Sequence, residues 1–289
     1  MPIVERGPRE VGELTISPDG KWAVIRREDG TATLWDVESA AVARALAPQR
    51  QALRAVAMTA DGRLLATRTE RRNSHIVDLL SETVVCGLAE ETRLNHSAAF
   101  NAGGTRLIGS SMGYGDEPLG VWDARSGASL LSESEHPGAV AISSCGRFAV
   151  GSLQPDKIRV WDLESRGAAR ELRGHDKPVT SLAITARGEW LASASVDKSV
   201  RLWHALRWDS VELFEGHEAG VTTVAITPGG RLVLSGARDH SLRLWLRGQK
   251  TPLAIFDLGQ PVAQCGISAD GHSLIAQTPS GDIRFLKWE

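Results

Sequence analysis

Cysteine is scarce in this sequence. Its 289 residues include three, Cys86, Cys145 and Cys265. They are odd in number, far apart and form no CxxC pair, which excludes a disulfide framework and a structural zinc pattern. Long apolar runs are also missing. No stretch approaches 18 apolar residues, and "MPIVERGPREVG" at the start has charges at residues 5 and 6 and no apolar core. Membrane spanning and secretion are disfavoured, and a cytoplasmic protein is expected. The sequon Asn95-His96-Ser97 is therefore read as a chance match. Charge of one sign is missing too. The net charge of -2 argues against a general nucleic-acid binder. There is no GxxxxGK[ST] phosphate loop, no HExxH, no Asp-rich calcium loop, and Gly113, Gly115 and Gly120 lack GxGxxG spacing. No metal, cofactor or small-molecule substrate is expected.

What the chain does have is repetition. A Gly-ended turn recurs at Gly20, Gly62, Gly104, Gly146, Gly188, Gly230 and Gly271, spaced by 42 residues five times and 41 once. A second series runs in step at Trp35, Val77, Trp122, Trp161, Trp203, Trp245 and Trp288. Each copy has the same grammar. A short apolar run such as "VTSLAIT" (179–185) precedes the Gly turn. A second run, "EWLASAS" (189–195), leads to a polar turn with Asp. Then come "SVRLW" (199–203) and a last short run, "VELF" (211–214). These are four strands of about five residues divided by turn formers. Helical periodicity is not sustained. "SAAVARALA" (39–47) looks locally helical but occupies the slot of a fourth strand, and is read as strand and turn.

The pairs Gly174-His175 and Gly216-His217, with Trp35-Asp36, Trp122-Asp123 and Trp161-Asp162, are similar to the marks of the WD40-repeat family. The resemblance covers essentially all of residues 1–289, as a single domain. It implies an all-β fold: a seven-bladed β-propeller of four-stranded antiparallel blades. Val77-Asp78 departs from the Trp-Asp pattern, and His204, Leu246 and Glu289 follow the last three Trp. The family places this Trp in a blade's third strand, and the sequence ends one residue after Trp288. The seventh blade then lacks a fourth strand, and residues 2–6 are expected to supply it, closing the ring. Six Lys against 27 Arg, and trimmed loops, suggest a stand-alone bacterial member.

His175, Ser193 and Asp197 are the residue types of a hydrolase triad. The resemblance implies something different: a hydrogen-bonded tetrad of His175, Ser193, Asp197 and Trp203, copied as His217, Ser235, Asp239 and Trp245. A buried indole N–H needs an acceptor, and a hydroxyl can accept it and donate onward to imidazole. Two copies 42 residues apart fit a device that repeats with the blade better than a catalytic site. Ser193 is also mid-strand, without the sharp turn and oxyanion hole of a nucleophile elbow. No catalytic residue is assigned. The first repeat keeps Asp29 and Trp35 but has Gly7 and Ile25, and the second has Thr67 with Arg71 and Val77.

The expected function is a non-enzymatic scaffold, or a sensor or assembly subunit, for one or more protein partners. The family resemblance implies binding at the face carrying the second-to-third-strand turns. Aligned rim positions there are Gly12, Arg54, His96, Gly138, Thr180, Thr222 and Ala263, among which Arg54 and His96 stand out by size and charge. The blade 2 turn holds Arg71 and Arg72. The longest turn, in blade 3, holds Tyr114 (the only tyrosine), Asp116 and Glu117. Tyr and Arg are favoured interface anchors. Residues 44–72 carry Arg44, Arg50, Arg54, Arg63, Arg68, Arg71 and Arg72 against Asp61 and Glu70, while 116–135 is acidic. Two alternatives are weaker. An enzyme using the central channel would need acid or His residues on the first strands, which are apolar to small. A nucleic-acid binder using the blade 2 arginines would need interleaved aromatics.

Overall fold

The computed structural model describes residues 4–6, 11–17, 19–27, 31–46, 54–68, 74–88, 94–111, 119–133, 137–153, 156–165, 170–204, 207 and 209–288; for 4–6, 11–13, 27, 54–56, 95, 96, 111 and 137 it describes the backbone alone. The described residues form 28 strands and no helix. The strands make seven four-stranded antiparallel sheets, each joining strands in chain order, with one exception. Blades 1 to 7 run over 11–46, 54–87, 94–133, 137–172, 179–214, 221–257 and 264–287. The segment 39–47 contributes a fourth strand, Ala41–Leu46.

The exception is the seventh sheet. Its fourth strand is Val4–Arg6, with Val4 opposite Leu286, Glu5 opposite Phe285 and Arg6 opposite Arg284. The ring is thus closed by this strand pairing together with apolar packing of Leu14 and Ile25 of blade 1 against Ile283 and Phe285 of blade 7. Residues 2 and 3 of the expected closing strand lie outside the described residues.

The Gly turns explain the repeat. Gly20, Gly62, Gly104, Gly146, Gly188, Gly230 and Gly271 all have φ between 60° and 84°. A side chain is strained there, so Gly is the cheap choice. Each turn is tied by the residue three before the Gly. Ser17 Oγ donates to Asp19 (2.6 Å) and accepts from the Trp22 amide (2.9 Å). Thr59 with Asp61 and Ser268 with Asp270 repeat this pattern, and Thr185 and Thr227 accept from the Trp190 and Leu232 amides.

Burial falls outward along each blade. Second strands such as Trp190–Ser195 are buried on both sides, because neighbouring blades pack on either face. That is why they read as small and apolar without alternation. Fourth strands such as Thr83–Gly87 are mostly exposed. The core lies in the seams, where Val200, Leu202 and Phe214 of blade 5 pack with Val221, Val233 and Trp245 of blade 6. First strands are also stitched across seams. The Val140, Val224 and Cys265 amides donate to the hydroxyls of Ser97, Ser181 and Thr223 in the preceding blade.

One sequence mark is corrected by the register. Leu191 pairs with Trp203 and Val233 with Trp245, and the matching pair in blade 7 is Leu274 with Leu286. Leu286 therefore holds the third-strand Trp position, 41 residues after Trp245 and in step with the Gly series. Trp288 follows the strand Ile283–Lys287. Its amide donates to His272 O (2.7 Å), as the Arg247 amide does to Arg231 O (2.9 Å).

Candidate functional site

The most connected polar groups are those singled out in blades 5 and 6. Trp203 Nε1 donates to Ser193 Oγ (2.8 Å), which lies 2.7 Å from His175 Nε2. His175 Nδ1 lies 2.7 Å from Asp197 Oδ2. In blade 6 the corresponding distances through Trp245, Ser235, His217 and Asp239 are all 2.8 Å. The proton order follows from valence. The hydroxyl accepts from indole, so its own proton goes to Nε2, which must be bare. The imidazole proton is then on Nδ1 and faces the carboxylate.

Sequence reasoning missed a fifth member. Ser199 Oγ donates to Asp197 Oδ1 (2.6 Å), and Ser241 Oγ to Asp239 Oδ1 (2.7 Å). The signal was present, since a Ser stands two residues after the Asp in both copies. The residue between, Lys198 or His240, has φ of 75° or 68° and makes the tight turn that brings Ser back onto Asp. The Asp176 and Glu218 amides, just after each His, also donate to the same carboxylates, binding the inter-blade loop to the turn.

The electrostatics follow from burial and donors. Burial pushes the Asp197 carboxyl up, but His175 and the hydroxyl and amide of Ser199 outweigh it and hold it far below its ordinary 3.8. For Asp239 burial is likewise outweighed, by Ser241, the Glu218 amide and His217, which bring it down to about 2. Burial pushes the His217 imidazole below 6.5, and Asp239 only partly offsets this. A protonated His217 would also turn a second donor onto Ser235 Oγ, leaving the hydroxyl proton without an acceptor.

The arrangement has the atoms of a hydrolytic triad but not its access. Ser193 and Ser235 are 0% exposed, His175 2% and His217 6%. Each seryl oxygen already carries an indole N–H.

The other blades treat the tryptophan differently. In blade 1 Ile25 replaces the hydroxyl, and Trp35 Nε1 instead donates to Thr33 Oγ1 (2.8 Å). In blade 3 Gly109 holds the position, and Leu94 fills the space a Cβ would need. In blade 4 it is Gly151, and the buried Trp161 Nε1 has no hydrogen-bond partner among the described residues. Blades 2 and 7 have no indole there, only Val77 and Leu286.

The seven first strands surround a channel of about 460 Å³. Its lining is mostly apolar and small, with Ser97, Ser181, Thr223 and Gln264 among the polar residues and no ionised side chain among the described residues. No group of three His, Cys, Asp or Glu able to hold a metal occurs among the described residues. At the rim, Thr180 and Thr222 donate across the seams to Val221 O (2.7 Å) and Val262 O (2.5 Å).

Arg71, Arg72, Tyr114, Asp116 and Glu117 lie outside the described residues, as do the side chains of Arg54 and His96. Two other arginines of the 44–72 segment are tied to carboxylates. Arg44 pairs with Glu82 (3.2 Å) and Arg63 with Asp78 (2.8 Å). Asp78 belongs to a set. Asp36, Asp78, Asp123 and Asp162 end the third strands of blades 1 to 4 and accept backbone amides of the following turn. Arg147 holds the Asp162 carboxyl down at about 2.

Comparison with known proteins agrees with this geometry. The profile of the WD domain, G-beta repeat, matches residues 168–204 and 208–245, the two blades with complete networks. Two WD40 repeats thus stand side by side in a seven-bladed propeller. Human angio-associated migratory cell protein is 24% identical over 186 residues, covering 58% of this chain and 43% of that protein. The dog protein of the same name is 25% identical over 187 residues. The chicken U3 small nucleolar RNA-associated protein 15 homolog is 26% identical over 182 residues, covering 58% of this chain and 32% of its own. The propeller thus spans less than half the length of the curated relatives it matches. No helix among the described residues is long and apolar enough to cross a membrane.

Proposed function

We propose that this propeller is a non-catalytic scaffold that holds one or more protein partners within a larger assembly. The observation that carries this reading is the sealing of both Ser-His-Asp sets. The seryl oxygens are fully buried and already occupied by indole donors, and the same set occurs twice. The chain's one conspicuous piece of chemistry is spent on holding inter-blade loops to their blades. The channel adds no acid, base or metal cluster among the described residues. What is left is a broad, stiff surface, which suits the presentation of partners. A relative named for association with U3 small nucleolar RNA supports a role as a complex subunit.

The irregular turns of blades 2 and 3, with Arg71, Arg72 and Tyr114, are the first place to seek a partner on the channel-rim face. The test is affinity capture from the native host with mass spectrometry, repeated with Arg71→Glu/Arg72→Glu and with Tyr114→Ala. Partners retained by the parent chain and lost by a variant support the scaffold and its site. Retention of every partner by both variants removes this site. A pure chain that captures nothing but turns over a substrate overturns the scaffold reading.

A further inference from the structure

The opposite face, which carries the Gly turns and the third-to-fourth-strand turns, is electrostatically divided. In blades 1 and 2 these turns hold Asp19, Asp36, Glu38, Asp61, Asp78 and Glu82 against Lys21 and Arg63, with Arg44 of the strand Ala41–Leu46 reaching Glu82. Blades 5 and 6 reverse the balance. The third-strand Asp is replaced by His204 and Leu246, and Arg187, Arg207, Arg231, Arg247 and Lys250 face Glu189, Asp209 and Glu212. Of those acids, Glu212 already accepts the Gly248 amide (2.9 Å). None of the five cations has a carboxylate within ion-pair distance among the described residues.

Arg247 gives this patch a fixed centre. Its counterparts Val37, Leu79 and Ala124 are buried apolar residues. In blade 6 the guanidinium instead lies over the ring of Trp190 of blade 5, 4.4 Å from its centroid, and donates to Gly230 O at 3.3 Å. His204 packs edge-on against the same indole at 4.6 Å. The Arg247 amide donates to Arg231 O, which sets the two arginines side by side. A guanidinium held this way loses little freedom when it takes a carboxylate.

We propose that the Gly-turn face of blades 5 and 6 binds a carboxylate-rich segment of a protein partner, with Arg247 as anchor and Arg231 and Lys250 as flanking cations. This rests on the scaffold reading and names the chemistry of one partner. Peptide fits better than nucleic acid. A single-stranded nucleic acid wants free aromatic faces for its bases, and the ring of Trp190 already carries Arg247. Five cations offset by three acids also make a short patch, not a phosphate track.

The test is fluorescence anisotropy on the full chain with a fluorescein-labelled peptide alternating Glu and Gly. A Gln/Gly peptide of equal length and an oligo-dT strand serve as comparators. The Glu peptide is expected to bind, the Gln peptide to fail, and binding to fall with added salt. Arg231→Glu/Lys250→Glu, which leaves the Arg247 stack intact, should weaken binding about tenfold or more. Arg247→Leu should also weaken it, and Arg238→Glu on the other face should not. Equal binding by the parent and the double variant overturns the proposal. So does tighter binding of oligo-dT than of the Glu peptide, abolished by the same double variant, which assigns the patch to nucleic acid. Capture of partners elsewhere on the ring would leave the scaffold reading standing after either result.

Discussion

Blades 4 and 5 place a tryptophan at the same point of the same strand and differ in what surrounds it. Trp203 donates its N–H to Ser193, which connects through His175 to Asp197, whereas in blade 4 Gly151 stands in the place of Ser193 and Trp161 Nε1 has no partner among the described residues. Both indoles are buried. The difference separates two jobs that one residue does. Packing into the seam needs only the ring, so blade 4 keeps its shape. Tying the inter-blade loop to the turn needs the whole chain of hydrogen bonds, which among the described residues is found in blades 5 and 6. Blade 7 marks the other extreme, with Leu286 in place of the tryptophan and a fourth strand borrowed from residues 4–6.

The largest expected effect is at that borrowed strand. Deleting residues 1–8 opens the ring and exposes the edge of Ile283–Lys287, and melting should fall by roughly 5–10 °C. A truncated chain that melts within about a degree of the full one would remove the closure account. Next comes His175→Ala, which removes the acceptor of the Ser193 hydroxyl proton and one donor to the Asp197 carboxylate. It should cost about 1–3 kcal/mol in denaturant unfolding. The matching substitution one repeat earlier, Glu133→Ala at the end of the fourth strand of blade 3 and 42 residues before His175, touches no such chain and should be near neutral. Equal losses at the two positions would erase the contrast between the blades.

Acid should expose the same contrast through pH. His217 is held below its ordinary 6.5 in the folded protein, so the unfolded chain takes up the proton first. Its contribution is fully present above that value and declines as pH falls below it. Asp239, held at about 2 against 3.8, adds a second loss as pH drops below 3.8. The stability gap between the parent and His217→Gln should therefore narrow between about pH 7 and 5. A gap constant across that range would contradict the neutral imidazole. The smallest effect is a gain. Gly151→Ser supplies the acceptor Trp161 lacks and should raise stability by about 1 kcal/mol. A loss would mean that the site cannot admit the hydroxyl.

Most of this architecture was legible because its signals are local. The Gly turns need a positive φ, which few other residues tolerate, so the period could be read from glycine alone. The tetrads were legible because both copies are intact. Trp288 misled for a physical reason. Residue type suggested a third-strand mark, but register is set by backbone pairing, and pairing gives that place to Leu286. Ser199 and Ser241 escaped because serine in a turn is common, and only the left-handed residue before each shows that it doubles back. Thr33 escaped because it serves Trp35 from two residues away on the same strand, not across the sheet. The Arg247 stack was out of reach, since nothing local in "LWLRGQK" points to a tryptophan one blade away.

The central claim is that the repeated Ser-His-Asp sets are construction, not catalysis. Thermal and denaturant unfolding of Ser193→Ala, Ser235→Ala and the double variant tests it most directly, with labelling by a fluorophosphonate measured in parallel. The account predicts a loss of about 2–4 kcal/mol for each single variant, since each leaves an indole N–H and an imidazole Nε2 unpaired. The double variant should show the sum to within about 0.5 kcal/mol, and no form of the protein should be labelled. Unchanged unfolding, together with labelling of the parent chain that Ser193→Ala abolishes, would contradict it.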